Sequence, residues 1–106
     1  MNKRILIVDD EPSVRESLKV LLKRDYELHT VEGGEEALEA VSRFTPHLML
    51  LDLVMPRVDG MTVLRTLREQ GQTFPIIMLT ATRMLKTAVE AMKSGASDYL
   101  TKPFDV

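Results

Sequence analysis

Five polar residues stand at the ends of short runs that read as strands, four of them after apolar runs. Asp9 and Asp10 follow Ile5-Leu6-Ile7-Val8, and Asp52 follows Leu48-Met49-Leu50-Leu51. Thr80 follows Pro75-Ile76-Ile77-Met78-Leu79, and Lys102 follows Asp98 to Thr101. Carboxylates gathered in one place repel. A like-charge pair ~4 Å apart costs roughly 4 kcal/mol at an effective dielectric near 20. Either a carboxyl protonates or cations sit among them. Lys102 supplies one positive charge, and a hard divalent cation held by oxygen ligands would supply the rest. Such a site suits phosphoryl chemistry. A carboxylate can attack phosphorus to give an acyl phosphate, provided the equatorial oxygens are neutralised. Lys102 and the cation can neutralise them, and the Thr80 hydroxyl can donate to the transferred group. Asp52 is expected to be ionised near neutral pH, so this chemistry needs no general base.

These residues meet only if the elements carrying them are parallel strands. The short β-branched and aliphatic runs read as buried strands, and amphipathic stretches alternate with them. Pro12 suits the first turn of a helix, which Val14, Leu18, Leu21 and Leu22 extend to about Arg24. Tyr26, Leu28 and Thr30 alternate with Glu27 and His29, as in an edge strand. Ala37, Leu38, Val41 and Phe44 mark a second helix, stopped near Pro46, and Met61, Leu64 and Leu67 a third, ended at Gly71. Leu85, Ala88, Val89 and Met92 give a fourth, capped near Gly95. Strand–helix alternation means a parallel sheet wrapped by helices. In open α/β sheets the ligand edge is the carboxyl end of the strands, where all five polar residues fall.

Composition narrows the alternatives. The 106 residues suffice for one domain, and 44% hydrophobic with 28% charged content is an ordinary globular mixture. The net charge of −2, with both signs interspersed, argues against a nucleic-acid platform. The absence of Cys removes thiol and Cys–zinc chemistry. The apolar run after Met1-Asn2-Lys3-Arg4 is too short for a signal peptide or membrane span, so a cytoplasmic location is expected. Plainer readings exist for each residue taken singly. Asp9-Asp10-Glu11 could favour a helix dipole, Asp52 could form a turn, Thr80 could be a cap, Lys102 a solvated charge, and Tyr99 static core. His29 and His47 are expected to face solvent.

Five motifs in order decide between these readings. They are Val8-Asp9-Asp10-Glu11, Leu51-Asp52-Leu53-Val54-Met55-Pro56 followed by Asp59-Gly60, Leu79-Thr80-Ala81, Gly95-Ala96-Ser97-Asp98-Tyr99-Leu100, and Thr101-Lys102-Pro103-Phe104. With these the whole chain resembles the receiver domain of bacterial two-component response regulators. The resemblance implies a flavodoxin-like, CheY-like doubly wound α/β fold with five parallel strands in the order 2-1-3-4-5. It implies that Asp52 is the phosphoacceptor, charged by a sensor histidine kinase, a histidine phosphotransfer protein or small phosphodonors. Asp9, Asp10, Asp52 and the backbone carbonyl of Val54 would hold Mg²⁺ or Mn²⁺. Thr80, the Ala81 backbone and Lys102 would contact the phosphoryl oxygens. Tyr99 matches the aromatic switch position, and the Lys102–Pro103 bond is expected to be cis. Val54 and Thr82 stand at positions that tune phosphate lifetime; Val54 is apolar and offers an attacking water no hydrogen bond.

The family fold has five helices, and only four are legible here. Residues 1–106 are therefore expected to be one receiver domain cut from a longer regulator, with an output domain following it. The ending Lys102-Pro103-Phe104-Asp105 resembles receivers of enhancer-binding transcription activators. A homodimer is compatible with the family; membrane or direct nucleic-acid binding by this segment is not expected. Two other functions compete. A phosphorylation-independent interaction module would be expected to have lost an acid or the lysine, and all are present. An aspartyl phosphatase needs a second acid two residues past the nucleophile, where this chain has Val54.

Overall fold

The computed structural model describes residues 2–81 and 85–102. The elements alternate without exception: β1 (Arg4–Val8), α1 (Pro12–Leu22), β2 (Glu27–Val31), α2 (Gly34–Phe44), β3 (Leu48–Asp52), α3 (Gly60–Glu69), β4 (Ile76–Thr80), α4 (Leu85–Lys93) and β5 (Asp98–Thr101). All strand pairs are parallel and the sheet order is β2-β1-β3-β4-β5. This is the expected doubly wound sheet, with four helices among the described residues.

Successive side chains of a strand leave opposite faces, which splits the core in two. On one face Leu6, Val8, Met49, Leu51, Ile76 and Met78 meet Ala37 and Val41 of α2, Val63, Leu64 and Leu67 of α3, and Ala91 of α4. On the other, Ile5, Ile7, Leu50 and Leu79 meet Leu18, with Val14 and Leu22 of α1 alongside. β2 is an edge strand, as its half-polar pattern predicts, and both His29 and His47 are exposed.

Register places the polar residues. Val8 pairs with Leu51, so Asp9 and Asp52 leave β1 and β3 side by side. Asp52 pairs with Leu79, and Thr80 pairs with Thr101. Lys102 comes one step later, its N–H donating to the Thr80 carbonyl at 2.7 Å.

Helix ends follow local chemistry. α1 begins at Pro12 and stops at Leu22, two residues before the predicted end, because Asp25 and Tyr26 N–H groups both turn back to the Leu22 carbonyl. α2 ends at Thr45, whose φ of 47° is left-handed; a residue before proline is barred from continuing a helix. The Asp59 carboxylate accepts from the Thr62 N–H at 2.9 Å and caps α3.

α4 forms where its spacing predicts, but its apolar stripe is not the covered side. The stripe Leu85–Val89–Met92 reads as a core face, yet these side chains are 77%, 42% and 47% exposed. Only Ala91 of α4 is buried. At 3.6 residues per turn, Ala91 lies on a different line of the helix from that stripe. A small residue lets the helix approach the sheet there and turns the larger side chains outward.

Candidate functional site

The carboxyl edge of the sheet carries a cluster of acids around one ammonium. Asp9 is fully buried and Asp52 is 3% exposed, while Asp10 and Glu11 are exposed. Carboxylate oxygens from all four lie within 4.8 Å of one another. Lys102 Nζ sits 2.7 Å from Asp9 Oδ2, 3.0 Å from Glu11 Oε1 and 3.3 Å from Asp52 Oδ1. Thr80, also buried, ends β4 beside them.

The first turn after β1 is fixed from two sides. Asp9 Oδ1 accepts the Glu11 N–H at 2.9 Å, and Arg15 Nη1 donates to the Asp9 carbonyl at 2.8 Å. The loop after β3 depends on a close approach. The Gly60 N–H donates to the Leu53 carbonyl at 2.9 Å. A Cβ on Gly60 would collide with the Asp52 carbonyl and stand 2.8 Å from Leu53 Cα. Gly60 is thus the residue that lets α3 start against the backbone of Asp52. Val54 turns its side chain outward, 70% exposed.

The electrostatics are unbalanced. Burial first, then the Asp9 charge, pushes the Asp52 carboxyl up to about 7; Lys102 pulls it down, and a hydrogen bond that the protonated form donates to Asp10 adds to the rise. Burial works against the charge on Lys102, but the close carboxylates of Asp9, Glu11 and Asp52 outweigh it and hold the ammonium above its ordinary value. The expectation that Asp52 is ionised near neutral pH therefore depends on positive charge brought to the site. Burial and the Asp9 charge both favour its protonated form, and Lys102 only partly offsets them. Asp9 Oδ2 is buried and receives no well-aligned hydrogen bond; it meets Lys102 as an ion pair alone. Crowded acids that one lysine cannot neutralise, with oxygen donors only, fit a hard divalent cation.

Asp9, Asp10, Asp52, Thr80 and Lys102 thus come together as their positions predict. Tyr99 lies partly buried beside the larger core layer and pairs with Met78 across the sheet. Ala81 is exposed just past β4. Thr82 and Pro103, named for phosphate lifetime and for a cis bond, lie outside the described residues. Sequence reasoning missed three contributors. Glu11 reads as a helix-start acid and instead reaches Lys102. Arg15 reads as a polar position of α1 and instead holds Asp9. Gly60 reads as turn chemistry, although a glycine closely following an acid at a strand end could have signalled close backbone approach.

Known proteins place this arrangement. Residues 5–106 match the family model described as the response regulator receiver domain. The chain is 45% identical over 105 residues to the alkaline phosphatase synthesis transcriptional regulatory protein PhoP of Bacillus subtilis, covering 98% of this chain and 44% of PhoP. It is 47% identical to the transcriptional regulatory protein SrrA of Staphylococcus aureus, covering 98% of this chain and 43% of SrrA. The chain spans less than half the length of these relatives. Among solved structures it resembles the chemotaxis protein CheY4 of Vibrio cholerae, with TM-score 0.92, 30% identity, and coverage of 99% of this chain and 90% of that one. It also resembles the BeF3-activated N-terminal receiver domain of Klebsiella pneumoniae RstA, with TM-score 0.90, 36% identity, and coverage of 97% and 88%. On both the sequence and the fold, this chain belongs to the response regulator receiver domain family.

Proposed function

We propose that this chain is the phosphoacceptor switch of a two-component phosphorelay. A carboxylate oxygen of Asp52 attacks the phosphorus of a phosphohistidine on a sensor histidine kinase or a histidine phosphotransfer protein. An O–P bond forms, the P–N bond breaks, and its electron pair remains on the imidazole, which takes up a proton. Asp9, Asp10, Asp52 and the Val54 carbonyl are the groups that would hold Mg²⁺ or Mn²⁺. When bound, that ion supplies the positive charge that keeps Asp52 ionised and neutralises the equatorial oxygens. Lys102, the Thr80 hydroxyl and the Ala81 N–H take the phosphoryl oxygens. The observation that carries the reading is the buried Asp52 carboxyl, 3.3 Å from the Lys102 ammonium that it shares with Asp9.

The domain turns over no external substrate and acts only on its own phosphorylation state. Phosphorylation adds dianionic charge, draws Thr80 and Lys102 inward, and biases a two-state equilibrium that Tyr99, α4 and β5 report. An output domain C-terminal to residues 1–106 reads that surface in the cytoplasm. The relatives named as transcriptional regulatory proteins support a transcriptional output. Labelling with acetyl phosphate or beryllofluoride tests the reading. Labelling that requires Mg²⁺ and disappears in Asp52→Asn is the expected result; labelling that persists in that variant sinks the assignment. The apolar Val54 should make the acyl phosphate long-lived, so Val54→Asn should hydrolyse it faster.

A further inference from the structure

We infer that Glu11 is a resting-state tether for Lys102, a positioning residue that a phosphoryl group on Asp52 must displace. The inference rests on the phosphoacceptor reading above. An ammonium has three N–H donors. In this structure three carboxylates surround them: Asp9 at 2.7 Å, Glu11 at 3.0 Å and Asp52 at 3.3 Å. The Glu11 contact is a hydrogen bond, whereas Asp9 Oδ2 meets the ammonium as an ion pair alone.

A phosphoryl group built on Asp52 takes over that residue's own 3.3 Å contact and presents further oxygens that compete for the donor Glu11 holds. The partners differ in what release costs. Asp9 is fully buried, and stripping the cation from a buried carboxylate is expensive. The Glu11 carboxylate is 56% exposed in its side chain, and water re-solvates it on release. Glu11 is therefore the contact that yields. Its backbone stays in place meanwhile: its N–H is bound to Asp9 Oδ1 at 2.9 Å and its carbonyl accepts the Arg15 N–H at 3.2 Å. Only the side chain has to swing away. The Glu11 side chain makes no capping hydrogen bond to α1, so replacing it leaves the helix start intact.

A tether and a metal-attracting acid pull in opposite directions. If Glu11 mainly assists the cation, removing it weakens phosphate-analogue binding. If it mainly occupies the lysine, removing it strengthens binding. Length separates a tether from bulk charge: Glu11→Gln keeps length and loses charge, whereas Glu11→Asp keeps charge and loses reach.

The test is calorimetric titration of beryllofluoride at saturating Mg²⁺, with Mg²⁺ affinity measured separately. Both variants should bind the analogue about 2- to 5-fold more tightly than the parent chain, the range of an exposed ion pair. In spectra without the analogue, the Lys102 ammonium resonance should shift in both variants. Unchanged or weaker binding in Glu11→Gln overturns the tether. So does parent-like binding in Glu11→Asp beside tighter binding in Glu11→Gln, which would mean bulk charge alone. Failure of the parent chain to bind beryllofluoride at all overturns the phosphoacceptor reading, and the tether with it.

Discussion

The centre of the sheet and its α4 flank are built differently. On β1 and β3, Leu6, Ile7, Val8, Met49 and Leu51 are fully buried, and helices cover them from both sides. On the flank α4 buries only Ala91, presents Leu85, Val89 and Met92 to solvent, and lies beside β5, where Leu100 is 43% exposed. Leu85, Ala88, Val89, Met92 and Lys93 there border an open, mostly apolar groove. Asp9 and Asp52 extend from the sealed strands, while Thr80 and Lys102 end the two strands nearest the flank. In the proposed switch, the carboxylates that would hold metal and phosphate extend from the most deeply buried strands. The groups that respond to phosphorylation in that switch sit next to the part with least to lose by moving.

Truncation should expose this contrast most strongly. Leu51→Ala empties a fully buried site and should cost ~2–5 kcal/mol. Leu85→Ala removes an exposed side chain and should stay within ~0.5 kcal/mol of the parent. Urea denaturation of the two variants measures both. Comparable losses would mean that α4 is held as firmly as the centre, and the contrast would fail.

The next effect is electrostatic and belongs to the centre. The Asp52 carboxyl titrates near 7 in the folded chain against an ordinary 3.8. Between those values the folded state keeps a proton that the unfolded state has lost. Asp52 therefore lowers stability as pH rises through this window, with the full cost present above about 7 and none below about 4. Its ceiling is on the order of 4 kcal/mol, shared with Asp9 and Lys102. Asp52→Asn should melt several degrees higher than the parent at pH 8, and the gain should vanish near pH 4. Mg²⁺ should raise the parent's melting temperature at pH 8 and do much less for the variant. A gain that does not change with pH would place its origin outside the acid cluster.

Which parts were legible in advance follows from the same division. Apolar runs that stop at an acid, a threonine or a lysine mark strand ends directly, and parallel register then forces Asp9 beside Asp52. Nothing local announces that Glu11 reaches a lysine 91 residues away, because that contact exists only once β1 and β5 share a sheet. Nor does periodicity say which side of an amphipathic helix is covered. The α4 stripe has the spacing of a core face, and its exposure depends on Ala91 making the approach instead. Helix α1 stops at Leu22 because backbone groups turn back there, a signal absent from residue types. The upward push on the Asp52 carboxyl was hidden for a related reason: burial and the Asp9 charge act on it through the fold.

The flank is held at its ends by arginine, and the first of these contacts is the stronger. Arg68 of α3 donates to the carbonyls of Gly95, Gln72 and Phe74 at 2.9–3.0 Å, clasping the α4–β5 turn to the α3–β4 loop. Burial depresses the basicity of this guanidinium without removing its charge. Arg68→Met keeps the aliphatic stem and strips three acceptors, so a loss of ~1–3 kcal/mol is expected in urea denaturation. Amide exchange around Gly95 should accelerate while β1 and β3 stay protected. Uniform acceleration across the sheet would instead make Arg68 part of the rigid centre.

The smallest effect concerns the one ion pair that Arg65 and Glu90 make between α3 and α4, at 2.6 Å and about half exposed on both sides. Exposed pairs are worth only ~0.2–1 kcal/mol and are screened by salt. Glu90→Gln should therefore barely move the urea midpoint, and less still at 1 M salt. Its use is as a probe of where motion starts. A helix with a single buried side chain has few restraints, so loss of even a weak one should raise amide exchange in α4 several-fold while leaving the β1 and β3 amides unchanged. If α4 exchange does not respond, packing at Ala91 alone fixes the helix. The flank would then differ from the centre in what it exposes rather than in how firmly it is held.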